Sequence, residues 1–160
     1  MNIAIVGATG NVGRKILEVL EKKELAIDNL YLLASSRSAG SKINFNGNEY
    51  EVIDLKTFDF SKVKITFFAA GGKISENFAE IAAKHSLVID NSSFYRMDPD
   101  VPLIVPQVNS NHLNNIKKNI IANPNCSTAQ LVIALKPLHD LYIIKRIVVS
   151  TYQSVSGAGK

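Results

Sequence analysis

The sequence predicts a doubly wound α/β fold built on a mostly parallel sheet, on three observations. Short β-branched apolar runs alternate with segments whose apolar residues recur at helical spacing, the pattern of repeated strand–helix–strand units. The first of these runs leads straight into a glycine-rich turn, Gly7-Ala8-Thr9-Gly10-Asn11-Val12-Gly13, that opens a helical segment. The 160 residues, 46% hydrophobic and 20% charged, are the length and balance of one well-filled domain rather than two.

Taken in order, strands are expected at residues 2–6, 30–34, 65–69, 87–90, 103–105 and 120–122. Val12, Ile16, Leu17, Val19 and Leu20 fall at helical spacing and predict a helix over 12–22; Phe78, Ile81 and Ala82 do the same over 74–85. Ile43 and Phe45, then Tyr50 and Val52, alternate with polar residues on either side of Asn46-Gly47, which predicts an antiparallel hairpin set as an insertion or edge ribbon. Pro99, Pro102 and Pro106 punctuate 92–109, and the Asn-rich stretch 109–115 has room for only a short helix. A helix over 127–138 and a long apolar strand over 143–152 follow. That strand runs into Gly157-Ala158-Gly159, as a strand does when more structure follows it. The expected organisation is therefore a Rossmann-like domain over 1–150, with 151–160 the entrance to a second domain that the chain lacks.

Composition excludes several function classes. No apolar run approaches the roughly 18 residues of a membrane span, and the N-terminus has neither the basic region nor the apolar length of a signal peptide. A cytoplasmic protein with no membrane partner is expected. The net charge is +4, yet basic residues are scattered and never run beyond pairs such as Lys22-Lys23 or Lys117-Lys118. Nucleic-acid binding wants a clustered stripe, so none is expected. The single cysteine, Cys126, excludes an internal disulfide and a Cys-rich zinc site, and no metal is expected.

The glycine turn carries the first chemistry. Between a strand and a helix, the backbone amides of Thr9, Gly10, Asn11, Val12 and Gly13 and the helix dipole suit a pyrophosphate, with Gly7 making the turn. An NAD-preferring site places an acid about 20 residues further on, to bind the ribose 2′-hydroxyl. Here that stretch reads Ser35-Ser36-Arg37-Ser38, where a guanidinium and three hydroxyls suit a 2′-phosphate. NADP is expected over NAD. Ala70, Gly71 and Gly72 close another strand at the same sheet edge, where small residues allow a ligand to approach.

Cys126 carries the second. Asn123-Pro124-Asn125-Cys126-Ser127-Thr128 puts the thiol where a strand stops and a helix begins, and a helix N-terminus favours the nucleophilic thiolate. Such a nucleophile needs a base, usually His. His139 is thirteen residues along the same helix, roughly 20 Å at the helical rise. His85 falls at the opposite edge of the sheet, and His112, in the Asn-rich segment, is left undetermined by its position. The expectation is that the base is not in this chain.

At these residues the sequence resembles aspartate-β-semialdehyde dehydrogenase, over essentially its whole length and as the N-terminal part of that family. Gly7-Ala8-Thr9-Gly10-Asn11-Val12-Gly13 carries the likeness together with residues 90–97, 98–109, 123–128 and 151–160, in order and at family-like spacing. The resemblance implies NADPH-dependent reductive dephosphorylation of L-aspartyl-4-phosphate to aspartate 4-semialdehyde, on the route to diaminopimelate, lysine, threonine and methionine. It implies Cys126 as the nucleophile, Gln153 as the residue that orients the acyl-enzyme, Arg96 at the phosphate site and Asn125 as a polar neighbour of the thiol. It also implies Ser156 and Gly157, at the last glycine turn, as residues that reach back to the cofactor. Tyr95 replaces a Phe common before the arginine. The family's catalytic histidine, and its arginine for the substrate α-carboxylate, come later, in a substrate-binding and homodimerisation domain. This chain is thus expected to be inactive alone. N-acetyl-γ-glutamyl-phosphate reductase shares the thiol chemistry but usually has Gly where Asn125 stands. A non-catalytic NADP-binding module would need only the glycine turn, and a purely structural domain would bind no nucleotide. The uncovered 143–152 strand is expected to make the chain self-associate.

Overall fold

The structure is a computed structural model that describes residues 1–23 and 25–152. Its strands are β1 (Asn2–Val6), β2 (Asn29–Ala34), β3 (Lys42–Phe45), β4 (Asn48–Asp54), β5 (Ile65–Phe68), β6 (Leu87–Asp90) and β7 (Ile120–Ala122). They form one sheet in the order β3-β4-β2-β1-β5-β6-β7. Every pairing is parallel except that of β3 with β4. The helices are α1 (Asn11–Lys22), α2 (Gly72–Ala83), the short α3 (Pro106–Asn109) and α4 (Cys126–Tyr142).

The pleat of β1 explains the layering, because successive side chains point to opposite faces. Ile3 and Ile5 pack with Leu17 and Leu20 of α1 on one face. Ala4 and Val6 pack with Ala79 and Ala82 of α2 on the other. β1 lies between β2 and β5, so the chain winds outward in both directions from it. The loops after β1 and β5 therefore border the crevice where such folds take ligands.

The hairpin is an edge ribbon whose inner strand, β4, is a parallel member of the sheet. Asn46 and Gly47 both have positive φ (49° and 76°), the two-residue turn that matches strand twist.

Two expected strands are absent among the described residues. Residues 103–105 make only a single bridge, Leu103 to Ala122, because Pro106 then starts α3. Residues 143–152 form no strand. Ile143 adopts a left-handed conformation (φ 55°) that ends α4, and a strand without a neighbouring ladder leaves its amides unpaired. Val148 and Val149 are accordingly exposed. The helices differ only at their ends. The second begins at Gly72 and stops at Ala83, and the fourth begins at Cys126 and continues through Pro137 to Tyr142.

Candidate active site

Four turns gather at the carboxyl edge of the sheet. The first follows β1. Gly7 has φ +83°, and a Cβ there would sit 2.7 Å from the Ala69 carbonyl oxygen, so only glycine lets the β1 and β5 turns meet. A Cβ on Gly13 would lie 2.2 Å from the Gly7 oxygen, so α1 packs directly on its own turn. Gly10 differs, because its Cβ would meet nothing closer than 3.4 Å. The protein itself does not require glycine there; a ligand crossing the turn would.

Gly10 caps α1 without a side-chain hydrogen bond. Its own amide bonds back to the Gly7 oxygen at 3.0 Å, and the next bonded amide is that of Arg14. The amides of Asn11, Val12 and Gly13 have no acceptor among the described residues, which leaves a dipole end ready for an anion. Thr9 presents its carbonyl to Arg14 Nε at 3.2 Å.

The turn after β2 exposes Ser35, Ser36 and Arg37, with Ser38 half-buried. The turn after β5 holds Ala70 and Gly71 exposed. Gly71 caps α2 at φ 84°, ψ 166°, a conformation essentially confined to glycine. Gly72 faces the next part of the site, since a Cβ there would come within 4.0 Å of Ser93 and Phe94 side chains.

The fourth region joins the ends of β6 and β7. Asp90, fully buried, accepts from Ser75 Oγ of α2 and Ser92 Oγ, each at 2.7 Å, and from the Ser92 amide at 3.0 Å. Ser92 Oγ in turn accepts the Phe94 amide. Tyr95 is buried in the core, and burial pushes its phenol up to about 12. With the turn so pinned, Arg96 donates Nε to the Asn123 carbonyl at 2.9 Å and Nη2 to the Asn91 carbonyl at 3.0 Å. Asn123 Nδ2 ties to Asn91 Oδ1 at 2.7 Å. Both partners of Arg96 are neutral oxygens, so its charge is fixed in place and its outer edge is open to an anion.

Cys126 is the first residue of α4 and is exposed. Asn125 is the N-cap: its Oδ1 accepts the Ser127 amide at 3.0 Å and the Ser127 hydroxyl at 2.7 Å, with Cys126 Sγ 3.7 Å away. The structure thus brings Arg96, Asn125 and Cys126 to adjoining strand ends, and the glycine turn to the same edge. Gln153, Ser156 and Gly157 lie outside the described residues. His139 is on α4 with Cys126, and α4 is continuous between them, while His85 follows α2 at the opposite edge. Among the described residues no cluster of His, Cys, Asp and Glu could hold a metal, and no helix is long and apolar enough to cross a membrane.

Sequence reading missed Asn91 and Asn123, whose hydrogen bond to each other joins neighbouring strand ends, and Asp90, which looks like any strand-terminal acid until its burial is seen. It also missed Asp54, the last residue of β4, which lies in register beside Ala34.

Residues 2–116 match the model of the NAD-binding domain of semialdehyde dehydrogenases. An aspartate-semialdehyde dehydrogenase of Shewanella sp. (strain DB6705) is 51% identical over 99% of this chain and 48% of its own length. The crystal structure of aspartate semialdehyde dehydrogenase II from Vibrio cholerae complexed with ASA superposes with a TM-score of 0.93 at 52% identity, covering 98% of this chain and 52% of that one. That of the Candida albicans enzyme with NADP gives 0.72 at 30% identity, covering 90% and 48%. The chain spans about half the length of the curated relatives it matches.

Proposed function

Since the chain belongs to the semialdehyde dehydrogenase family, carrying its NAD-binding domain, we propose that it is the cofactor- and thiol-bearing part of an NADP-dependent enzyme that reduces an acyl phosphate. The substrate in this reading is L-aspartyl-4-phosphate and the products are aspartate 4-semialdehyde and inorganic phosphate. The place is cytoplasmic amino-acid biosynthesis, on the way to diaminopimelate, lysine, threonine and methionine. The observation that carries it is the convergence at one sheet edge of unbonded helix amides at Asn11–Gly13, a fixed cation at Arg96 and an exposed thiol at the N-terminus of α4.

The residues fit a nicotinamide dinucleotide. Asn11, Val12 and Gly13 would hold its pyrophosphate and Gly10 leaves room for it, while Ser35, Ser36, Arg37 and Ser38 would take a 2′-phosphate. Ala70, Gly71 and Gly72 would line the nicotinamide side, and Ser156 and Gly157 would be further cofactor-binding residues. Bound there, the cofactor supplies the hydride. The NADP complex of the Candida albicans relative supports this choice.

The chain's own groups do the rest. The Cys126 thiolate, favoured by the α4 N-terminus, attacks the acyl carbon of the substrate. The carbon–oxygen bond to phosphate breaks, leaving a thioester on Cys126 and free phosphate. Arg96 binds the phosphoryl oxygens on its open edge and stabilises the charge that leaves. Asn125 holds the helix start that positions the thiol, and Gln153 orients the acyl group. Neither His139 on α4 nor His85 beyond α2 meets Cys126, and His112 stands in the 110–115 turn with Nδ1 3.5 Å from Asn109 Nδ2; in this reading the base comes from outside this chain. Residues 1–150 are then the cofactor domain, 151–160 lead to the substrate and homodimerisation domain, and the chain alone binds cofactor without turnover.

The test is a chimera. Fused to the C-terminal half of the Shewanella relative, the chain should form NADPH from aspartate semialdehyde, NADP and phosphate. Cys126→Ser should abolish that activity. A folded chimera that is inactive, or a Cys126→Ser form as active as its parent, would contradict the reading.

A further inference from the structure

The carboxylate that the sequence lacks at the end of β2 arrives there from the neighbouring strand. β2 and β4 run parallel with Ala34 beside Asp54, so Asp54 ends β4 next to the turn at 35–38. The turn is strapped to β4 further along: the Gly40 amide donates to the Val52 carbonyl and the Val52 amide to the Ser41 carbonyl, each at 2.8 Å. Asp54 is itself held in place. Its Oδ1 accepts the Lys56 amide at 3.0 Å as the cap of a short 3-10 turn, Leu55–Thr57. The Ser36 hydroxyl, ahead of the Lys56 amide, lowers the Asp54 carboxyl from its ordinary value. Arg37 and Ser36 are exposed and Asp54 is half-buried. The turn that carries an exposed guanidinium at Arg37 thus starts one residue beyond the position that Asp54 flanks.

These two groups select opposite ligands. A guanidinium favours a 2′-phosphate; a carboxylate accepts a hydrogen bond from a ribose 2′-hydroxyl and repels a phosphate. We propose that Asp54 is a specificity-determining residue of the dinucleotide site, opposing Arg37 so that the chain accepts NADH as well as NADPH. The proposal rests on reading 35–38 as the cofactor turn. Capping the 3-10 turn is the structural role Asp54 has in any case, and it is separable, because Asn caps about as well as Asp.

The experiment is calorimetric titration of NADPH and of NADH into the wild-type chain, Asp54→Asn and Asp54→Ala, with a thermal melt of each. Wild type should bind both nucleotides. Asp54→Asn should bind NADPH about three- to tenfold more tightly and NADH about threefold or more weakly, with its melting temperature unchanged. Asp54→Ala should shift the NADPH/NADH ratio in the same direction even though its melting temperature falls. Equal changes in both affinities, no change in either, or a wild type that binds NADPH alone would overturn the role of Asp54 and leave the cofactor turn standing. A wild type that binds neither nucleotide would overturn the cofactor turn and this inference with it.

Discussion

Arg96 Nε donates to the carbonyl oxygen of Asn123 at 2.9 Å, three residues ahead of Cys126. The bond fixes the cation of the proposed phosphate site to the strand end that delivers the thiol. Its second bond, to the Asn91 carbonyl, closes the gap between β6 and β7.

Arg96→Gln should therefore weaken both anion steering and the fold. Losing two hydrogen bonds from a charged donor costs about 1–3 kcal/mol, read as a lower urea midpoint. At Cys126 the variant should react with anionic iodoacetate about threefold or more slowly, while its rate with neutral iodoacetamide holds. Equal slowing with both reagents would remove Arg96 from the site.

Gly13→Ala and Gly10→Ala should behave oppositely. A Cβ on Gly13 would lie 2.2 Å from the Gly7 oxygen, and such overpacking costs about 1–3 kcal/mol or more. Gly10 has φ −79° and ψ 169°, which alanine adopts freely, so Gly10→Ala should leave the melting temperature level or slightly raised. Its NADPH affinity should nonetheless fall. Unchanged affinity in folded Gly10→Ala would mean that nothing crosses the turn.

Asp98 and Lys118 pair at 2.8 Å and tie the loop bearing Arg96 to the segment before β7. Lys118 and the Asp100 amide hold the Asp98 carboxyl below its ordinary value, and Asp98 raises Lys118. The pair's contribution is therefore full above the ordinary carboxylate pKa of about 3.9 and fades as pH falls through the lower folded value. On the alkaline side it is full below the ordinary lysine pKa of about 10.4 and fades as pH rises through the higher folded value. Wild type should exceed Lys118→Gln in urea midpoint at neutral pH, and the difference should vanish in strong acid. A difference that persists there would mean packing, not the ion pair, is responsible.

Self-association is expected from two apolar surfaces. Ile65, Phe67, Leu87, Ile89 and Ile121 share the face of the sheet opposite α2 and are only half-buried. α4 has no buried residue, and Leu138, Leu141 and Tyr142 are at least half exposed. Sedimentation velocity should show a coefficient that rises with concentration. A constant monomer value would contradict this.

The winding of the sheet was legible in the sequence because its signals are local. Each of β1, β2, β5, β6 and β7 is a short apolar run, and Asn46-Gly47 marks the hairpin by itself. What was not legible depends on neighbours. Residues 143–152 have every strand preference and no ladder to join among the described residues. Residues 103–105 are stopped by Pro106 after one bridge. At the site, Cys126 was placed at a helix start by Pro124 and the apolar pattern beyond it. The buried Asp90 cluster depends on α2 packing its Ser75 against the end of β6, and the place of Asp54 beside Ala34 depends on strand register; no spacing along the chain encodes either.

The most direct test of the account is calorimetric titration of NADPH into the unmodified chain. The account predicts saturable binding of one nucleotide per chain that Gly10→Ala weakens and that exceeds the binding of NADH. Absence of any binding by a chain that melts cooperatively would show the glycine turn to be structural, and would contradict the account.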